Sequence, residues 1–296
     1  MNRDATARPL SSLRPLRNLL LCALPAFWLA GCSFTNATAK REVSQTVADA
    51  KSLVVTGENG KVELIQDASA TTMQVEAVIR CSSDTQAKAD ARVAAATLTA
   101  VKDEGGTVRV SVEFPPRDSA VPSMLIGGSM GSNDDSASIV IRVASLEGIE
   151  VSTTNGSIAV GAFRGAAKLS TSNGSIEVKD HAGPIDARSS NGAIRASGVH
   201  APVVADTSNG RIEISLAPDA QGDVTIDTSN GSVLLDLGSA WQGTVTADTS
   251  NGKIELSGGD VVTKFGTKTM TIGDAAKAKA VIDTSNGRVT VRVATK

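Results

Sequence analysis

The segment Val203–Ile214, "VVADTSNGRIEI", decides how this chain is read, because close copies of it recur. Val224–Leu235 reads "VTIDTSNGSVLL", Val245–Leu256 "VTADTSNGKIEL" and Ala280–Val291 "AVIDTSNGRVTV". Looser copies begin at Ile149, Ala167 and Ile185, and an early one, "LVVTGENGKVEL", spans Leu53–Leu64. The shared pairs are Asn59-Gly60, Asn155-Gly156, Asn173-Gly174, Asn191-Gly192, Asn209-Gly210, Asn230-Gly231, Asn251-Gly252 and Asn286-Gly287. From Asn155 onward the intervals are 18, 18, 18, 21, 21 and 35 residues. A period near 20 residues marks a solenoid or array. The last interval has room for one degenerate turn within Ser257–Lys279.

Counted from each Asn, positions −6, −4, +3 and +5 are apolar, and −2 is almost always Thr. The inward set changes parity across Asn-Gly. A two-residue hairpin produces that change, and so does a sharp corner between two strands of a solenoid coil. Two features favour the solenoid. The intervals are held to 18 or 21, and Thr-Ser recurs before an Asn-Gly that would suffice alone for a hairpin. In a parallel stack each coil lies ~4.8 Å above the last, so identical residues form ladders. Asn amides and Thr or Ser hydroxyls then bond along the stack, with Gly expected at positive φ. The fold class is all-β, a single-chain β-solenoid of 18–21-residue coils. An antiparallel meander of Asn-Gly hairpins is the alternative.

The chain opens with a different kind of sequence. Arg3, Arg8, Arg14 and Arg17 precede the apolar run "LLLCALPAFWLA", too short to span a bilayer but suited to a secretory signal over 1–31. Leu29-Ala30-Gly31-Cys32 resembles the bacterial lipoprotein cleavage box. That resemblance implies a lipid on Cys32, a membrane anchor and, with Ser33 following, the outer membrane. Residues 32–50 then read as a polar tether. Loss of the leader takes the net charge from −2 to −5, which argues against a nucleic-acid partner. Cys81 becomes the one cysteine besides the lipidated Cys32, so no disulfide is expected.

Residues 51–144 read as an N-terminal β region and 145–296 as the solenoid repeats. Within the first, 83–103 reads as a helix capped by Ser83 or Asp84 and ended by Gly105-Gly106, with Ala87, Ala91, Ala94, Leu98 and Val101 as its apolar stripe. The helix is expected to cap one end of the stack. Arg288, Arg292 and Lys296 are expected to protect the edge at the other. Residues 115–136 form a long Gly/Ser/Pro loop. The "TSNGxIxV" repeats, the single helix after an opening strand pair and the lipoprotein leader together resemble the bacterial β-strand-repeat domain of unknown function often labelled "putative adhesin". The resemblance covers about Leu53–Lys296 and implies the fold rather than a mechanism.

Candidate chemistry is sparse. Gly127-Gly128-Ser129-Met130-Gly131 matches a nucleophile elbow, yet no helical pattern follows it. Asp206, Asp227, Asp248 and Asp283 share position −3 and should line up outward, with Asp186 in an earlier coil. They read as a solvated row paired with Arg211, Lys253 or Arg288, as a cation or partner surface, or as acid/base carboxylates of a carbohydrate-active β-helical enzyme. Trp241 is a candidate partner anchor, and His181 and His200 a weak metal pair. No cofactor, metal or catalytic residue is assigned. The expectation is a lipid-anchored, non-catalytic module of the cell envelope that meets an envelope protein or polysaccharide, or an envelope-stress accessory.

Overall fold

Every Asn-Gly marks a passage from one sheet to another. The computed structural model describes residues 37–116, 135–200, 202–264 and 267–293. Strands entering the corners form a 12-stranded upstream sheet, and strands leaving them an 11-stranded downstream sheet. Ala166–Thr171 pairs in parallel with Gly148–Thr153 and with Ile185–Ser189, so Leu169 lies opposite both Val151 and Ala187. Across the corner, Ile176–Lys179 pairs in parallel with Ile158–Val160 and Ile194–Val199. Pairing is therefore between coils, never between the two arms of one Asn-Gly unit. That is a solenoid, and the hairpin meander is excluded for these repeats.

The alternation seen in the sequence is the burial pattern. Val203, Ala205, Thr207, Ile212 and Ile214 all point into the space between the sheets and are buried. Each coil contributes four or five such residues to one continuous core. The turn opposite the Asn-Gly corner encloses the residue ten positions before the next Asn. Phe163, His181, Val199, Ala220 and Trp241 occupy that place in successive coils, all buried. The three extra residues of the 21-residue coils fall in this opposite turn, where Ala220 N–H bonds Ala217 O and Trp241 N–H bonds Gly238 O.

Coil order in space departs from coil order in the chain at both ends. The last coil, Lys279–Thr284 with Val289–Val293, is inserted between the Asn230 coil and the Asn251 coil. The segment 257–279 adds no degenerate turn to the stack. Its strands Asp260–Lys264 and Thr267–Ile272 form an antiparallel hairpin on the outer edge of Gly243–Thr249. Arg288 and Arg292 consequently sit inside the stack and not at its edge, and Lys296 lies outside the described residues. At the other end the first coil, Ser52–Thr56 with Val62–Gln66, is likewise one rung in. Thr107–Glu113 and Ser136–Val143 flank it on the outside. Both sheets run through residue 144 unbroken, with Leu53 opposite Ile149 and Val62 opposite Ile158.

The N-terminal region corrects two expectations. Ala37–Val47, read as tether, is an 11-residue strand paired antiparallel with Met73–Ser83. Two long polar side chains on its inner face conceal its period, Arg41 reaching the C-terminal end of the helix and Gln45 the strand that follows it. The Arg41 guanidinium donates to Ala94 O (2.6 Å) and Ala96 O (3.1 Å), and Gln45 donates to Leu98 O (2.9 Å). The helix is shorter than expected, Gln86–Ala95, with Thr85 as its N-cap. Its buried face is Ala89 and Val93, not the Ala87–Ala91–Ala94 stripe, which is exposed. With alanine on several faces, the one branched side chain decides which face turns inward. Thr97–Lys102 is a strand paired antiparallel with Thr107–Glu113, so Gly105-Gly106 belongs to a hairpin turn. Alternating Thr97, Thr99 and Val101 suits a strand better than a helix. The helix packs on Ala37–Val47 and Met73–Ser83, at the N-terminal end of the downstream sheet.

Candidate interaction surface

The corner itself is a three-part polar ladder. Asn173 Nδ2 donates to Asn155 Oδ1 at 2.7 Å, Asn191 to Asn173 at 2.9 Å, and Asn209 to Asn191 at 3.0 Å. The row continues Asn230, Asn286, Asn251, following the spatial order of the coils. Beneath it the position −2 hydroxyl donates to a backbone carbonyl of the neighbouring coil, as Thr207 does to Gly192 O and Thr228 to Gly210 O, and in two coils it also accepts a bond. Thr171 Oγ1 accepts from Gly174 N–H (3.1 Å) and donates to Gly156 O one coil away (3.0 Å). Ser189 makes the same two bonds to Gly192 and Gly174. Only the Gly60 member of the Asn-Gly glycines has positive φ. The other seven are required by proximity, not by φ. A Cβ on Gly231 would lie 1.8 Å from Gly210 O, and one on Gly192 1.7 Å from Gly174 O. Nothing in the structure explains the side chain of the Ser that precedes Asn.

A rigid corner leaves two flat outer faces on which outward residues stand in rows. On the upstream face Asp206, Asp227, Asp283 and Asp248 occupy consecutive strands at one register, in that order. Asp227, in the middle, has its carboxyl held above the ordinary value of 3.8, by partial burial first and then by the charges of Asp206 and Asp283. At the end of the row Thr267 Oγ1 donates to Asp248 Oδ2 (2.7 Å). The expected partners of this row pair elsewhere. Arg211 joins Glu213 at 2.8 Å and Lys253 joins Glu255 at 2.7 Å, because position +2 lies past the corner on the downstream face. Among the described residues no group of three acidic, His or Cys side chains is arranged to hold a metal ion.

Further along the same face an open groove of about 650 Å³ crosses the strands. It is lined by short residues seven before each corner Asn, Gly148, Ala166, Pro184 and Pro202. Charged residues five before it, Glu150, Lys168 and Asp186, also line it. Lys168 bridges to Glu150 on the next strand at 3.0 Å, and Arg188 closes on Asp186 at 2.8 Å. The repeat carries the signal for this groove as small residues and prolines at −7.

Three other candidates change character. Trp241 is buried and donates Nε1–H to Gly222 O (3.1 Å), so it fills the opposite corner and offers no exposed anchor. His181 is buried too, its Nε2 bonded to Gly165 O at 2.8 Å, and burial pushes its imidazole below the ordinary value of 6.5. His200 follows one coil on, its N–H bonded to His181 O, with Nε2 3.2 Å from Asp219. The two rings engage separate partners. Cys81 is buried in the core. Cys32, the 1–31 leader and the Gly127–Gly131 motif lie outside the described residues. Among the described residues, no helix is long and apolar enough to cross a membrane.

The family comparison agrees with this architecture. The model of the domain described as Toastrack DUF4097 matches residues 65–257. No curated protein matches the chain. Of solved structures, a "putative cell adhesion protein" from Clostridium sporogenes is 12% identical, with TM-score 0.32, covering 86% of this chain and 100% of that one. A "putative lipid binding protein" from Parabacteroides distasonis is 14% identical, with TM-score 0.39 and coverage of 86% and 97%. A "putative adhesin" from Bacteroides fragilis is 12% identical, with TM-score 0.38 and coverage of 86% and 98%.

Proposed function

This chain belongs to the Toastrack DUF4097 family, and from that premise we propose that it is a lipid-anchored, non-catalytic interaction module of the cell envelope. The observation that carries this reading is the pair of flat outer faces held at fixed register by the Asn–Thr–Gly ladder. Such a stack displays rows of side chains at constant spacing and is suited to an elongated partner, an envelope protein or a polysaccharide. The groove across Gly148, Ala166, Pro184 and Pro202 is the docking surface we assign to it. The basic leader, apolar run and Leu29-Ala30-Gly31-Cys32 box support anchoring through Cys32 at the outer membrane.

Two experiments test the reading. Cys32→Ala should release the protein from the membrane fraction, and retention there would contradict the anchor. A photocrosslinking residue at Lys168, in native cells, should trap a discrete adduct that one at Lys40, far from the groove, does not. Equal trapping at both positions would remove the groove from the account. Protease treatment of intact cells then tells a surface partner from a periplasmic one.

A carbohydrate-active enzyme is the second reading, and the raised Asp227 carboxyl favours it, since a general acid needs a carboxyl shifted in that direction. Asp227→Asn and Asp248→Asn separate the two. Loss of turnover on an envelope polysaccharide would establish the enzyme. Unchanged partner capture, with thermal stability equal or slightly higher at low salt, is the outcome for a docking module.

A further inference from the structure

The downstream face is largely self-neutralised. Outward residues two, four and six positions after five of the eight corner Asn form the pairs Lys61–Glu63 (2.8 Å), Lys179–Glu177 (2.6 Å), Arg195–Glu213 (3.1 Å), Arg211–Glu213 (2.8 Å) and Lys253–Glu255 (2.7 Å). Two notches interrupt this face, each beside a small outward residue, Ala159 and Gly161 in the first and Ser232 in the second. The first, about 360 Å³, lies by Ala159 and Gly161, and its flanking Lys61 and Lys179 are both paired. The second, about 510 Å³, lies by Ser232 and Leu234. Arg211 flanks it on one side, and Arg288, Thr290 and Arg292 on the other.

The second notch differs in charge, not in shape. Among the described residues Arg288 and Arg292 make no ion pair. The carboxylates around it stand outside its lining. Glu213 accepts from Arg211 and Arg195, and Glu255 accepts from Lys253. Asp236 stands opposite Arg292 on the adjacent strand without an ion pair between them, and the charges of Arg288 and Arg292 reach the Glu255 carboxylate without bridging to it. The tucked last coil creates this arrangement. It sets Arg288 and Arg292 beside the Asn230 coil, where sequential stacking would have set Lys253 and its partner Glu255.

We propose that this notch binds a phosphate-type oxyanion, held by the Arg288 and Arg292 guanidinium groups with the Ser232 and Thr290 hydroxyls. Guanidinium forks match phosphate geometry with paired N–H donors and stay charged at every physiological pH. Hydroxyls complete the shell of a tetrahedral anion, and the notch gives it a partly desolvated seat. The phosphate belongs either to a soluble compound or to a lipid headgroup. This inference does not rest on the groove or on Cys32.

The test is calorimetric titration of the full chain with inorganic phosphate at low ionic strength. One saturable site is expected. Arg288→Gln and Arg292→Gln, both exposed and so harmless to the fold, should each weaken it by about tenfold or more. Ser232→Leu, which fills the notch and keeps both arginines, should weaken it comparably. Lys61→Gln at the first notch should leave it unchanged. Absence of saturable binding, indifference to either Arg substitution, or full affinity in Ser232→Leu would overturn the site, the last by showing diffuse charge rather than a seat. Vesicles of phosphatidylcholine with and without phosphatidic acid identify the source. Extra binding to the acidic vesicles that is lost in Arg288→Gln assigns a headgroup, and equal binding to both assigns a soluble phosphate.

Discussion

Each coil turns twice, and the two turns obey different rules. At the Asn-Gly corner the backbones of neighbouring coils approach so closely that a Cβ on Gly231 would fall 1.8 Å from a carbonyl oxygen. The Asn amides and the position −2 hydroxyls there are matched to groups in the next coil, so those identities repeat. At the opposite turn one interior position holds Phe163, His181, Val199, Ala220 and Trp241 in succession. That turn also absorbs three extra residues in the longer coils. Hydrogen-bond ladders demand the same atom at the same height in every rung, whereas apolar packing demands only that total volume be filled. A solenoid can therefore vary along one corner while the other stays constant.

Close approach is universal at the corner but local at the opposite turn, where Gly183 would meet Gly165 O at 2.3 Å while Gly161 is open, so the sharpest contrast is between Gly231 and Gly161. Gly231→Ala should destabilise the chain by about 4 kcal/mol, since backbone rather than a flexible side chain blocks the new Cβ. Gly161→Ala, in the opposite turn, meets its nearest atom, Leu64 O, at 3.4 Å and should be nearly neutral. Equal midpoints in chemical denaturation for the two variants would refute the distinction. Next in size, Thr171→Val keeps the shape but leaves Gly174 N–H and Gly156 O without their hydroxyl partner. The expected loss is about 2 kcal/mol. Trp241→Phe at the other turn retains most of the volume and loses one N–H bond to Gly222 O, for about 1 kcal/mol. If the Phe substitution proves the costlier of these two, volume and not hydrogen bonding dominates both turns.

The smallest effect is one of pH. Burial in the folded state lowers the His181 imidazole below the ordinary 6.5 of the unfolded chain. The unfolded state therefore binds the proton more tightly. Its contribution to stability should be complete above about pH 6.5 and decline as pH falls through and below that value. His181→Phe, matching Phe163 one coil away, should flatten that part of the stability profile. An unchanged profile would mean that His181 is solvated.

What the sequence revealed follows the same division. Parity across Asn-Gly, the inward Thr and the bonded Asn row were legible because a ladder repeats its residues. The reason for the glycines was not, since close approach and positive φ favour the same residue. Rung order was hidden as well, because nothing in the 35-residue interval before Asn286 states that the chain passes outward and then returns. The groove and the arginine notch arise from side chains on separate coils, and the notch exists only under the non-sequential order. Ala37–Val47 escaped notice because Arg41 and Gln45 occupy places that an amphipathic strand normally gives to apolar residues.

That order sets the rungs at both ends of the stack and builds the arginine notch on the downstream face. Cysteine pairs test it directly. Thr225 and Val281 are opposite on adjacent strands, as are Val281 and Thr246. Adjacent strands place Cα atoms about 4.8 Å apart, within disulfide reach, and alternate ones about 9.6 Å apart, beyond it. Thr225→Cys with Val281→Cys, and Val281→Cys with Thr246→Cys, should oxidise readily to disulfides in the folded protein, while Thr225→Cys with Thr246→Cys should remain reduced. Rapid crosslinking of the Thr225 and Thr246 pair, with none from Thr225 to Val281, would show that the coils stack in chain order and would contradict the account.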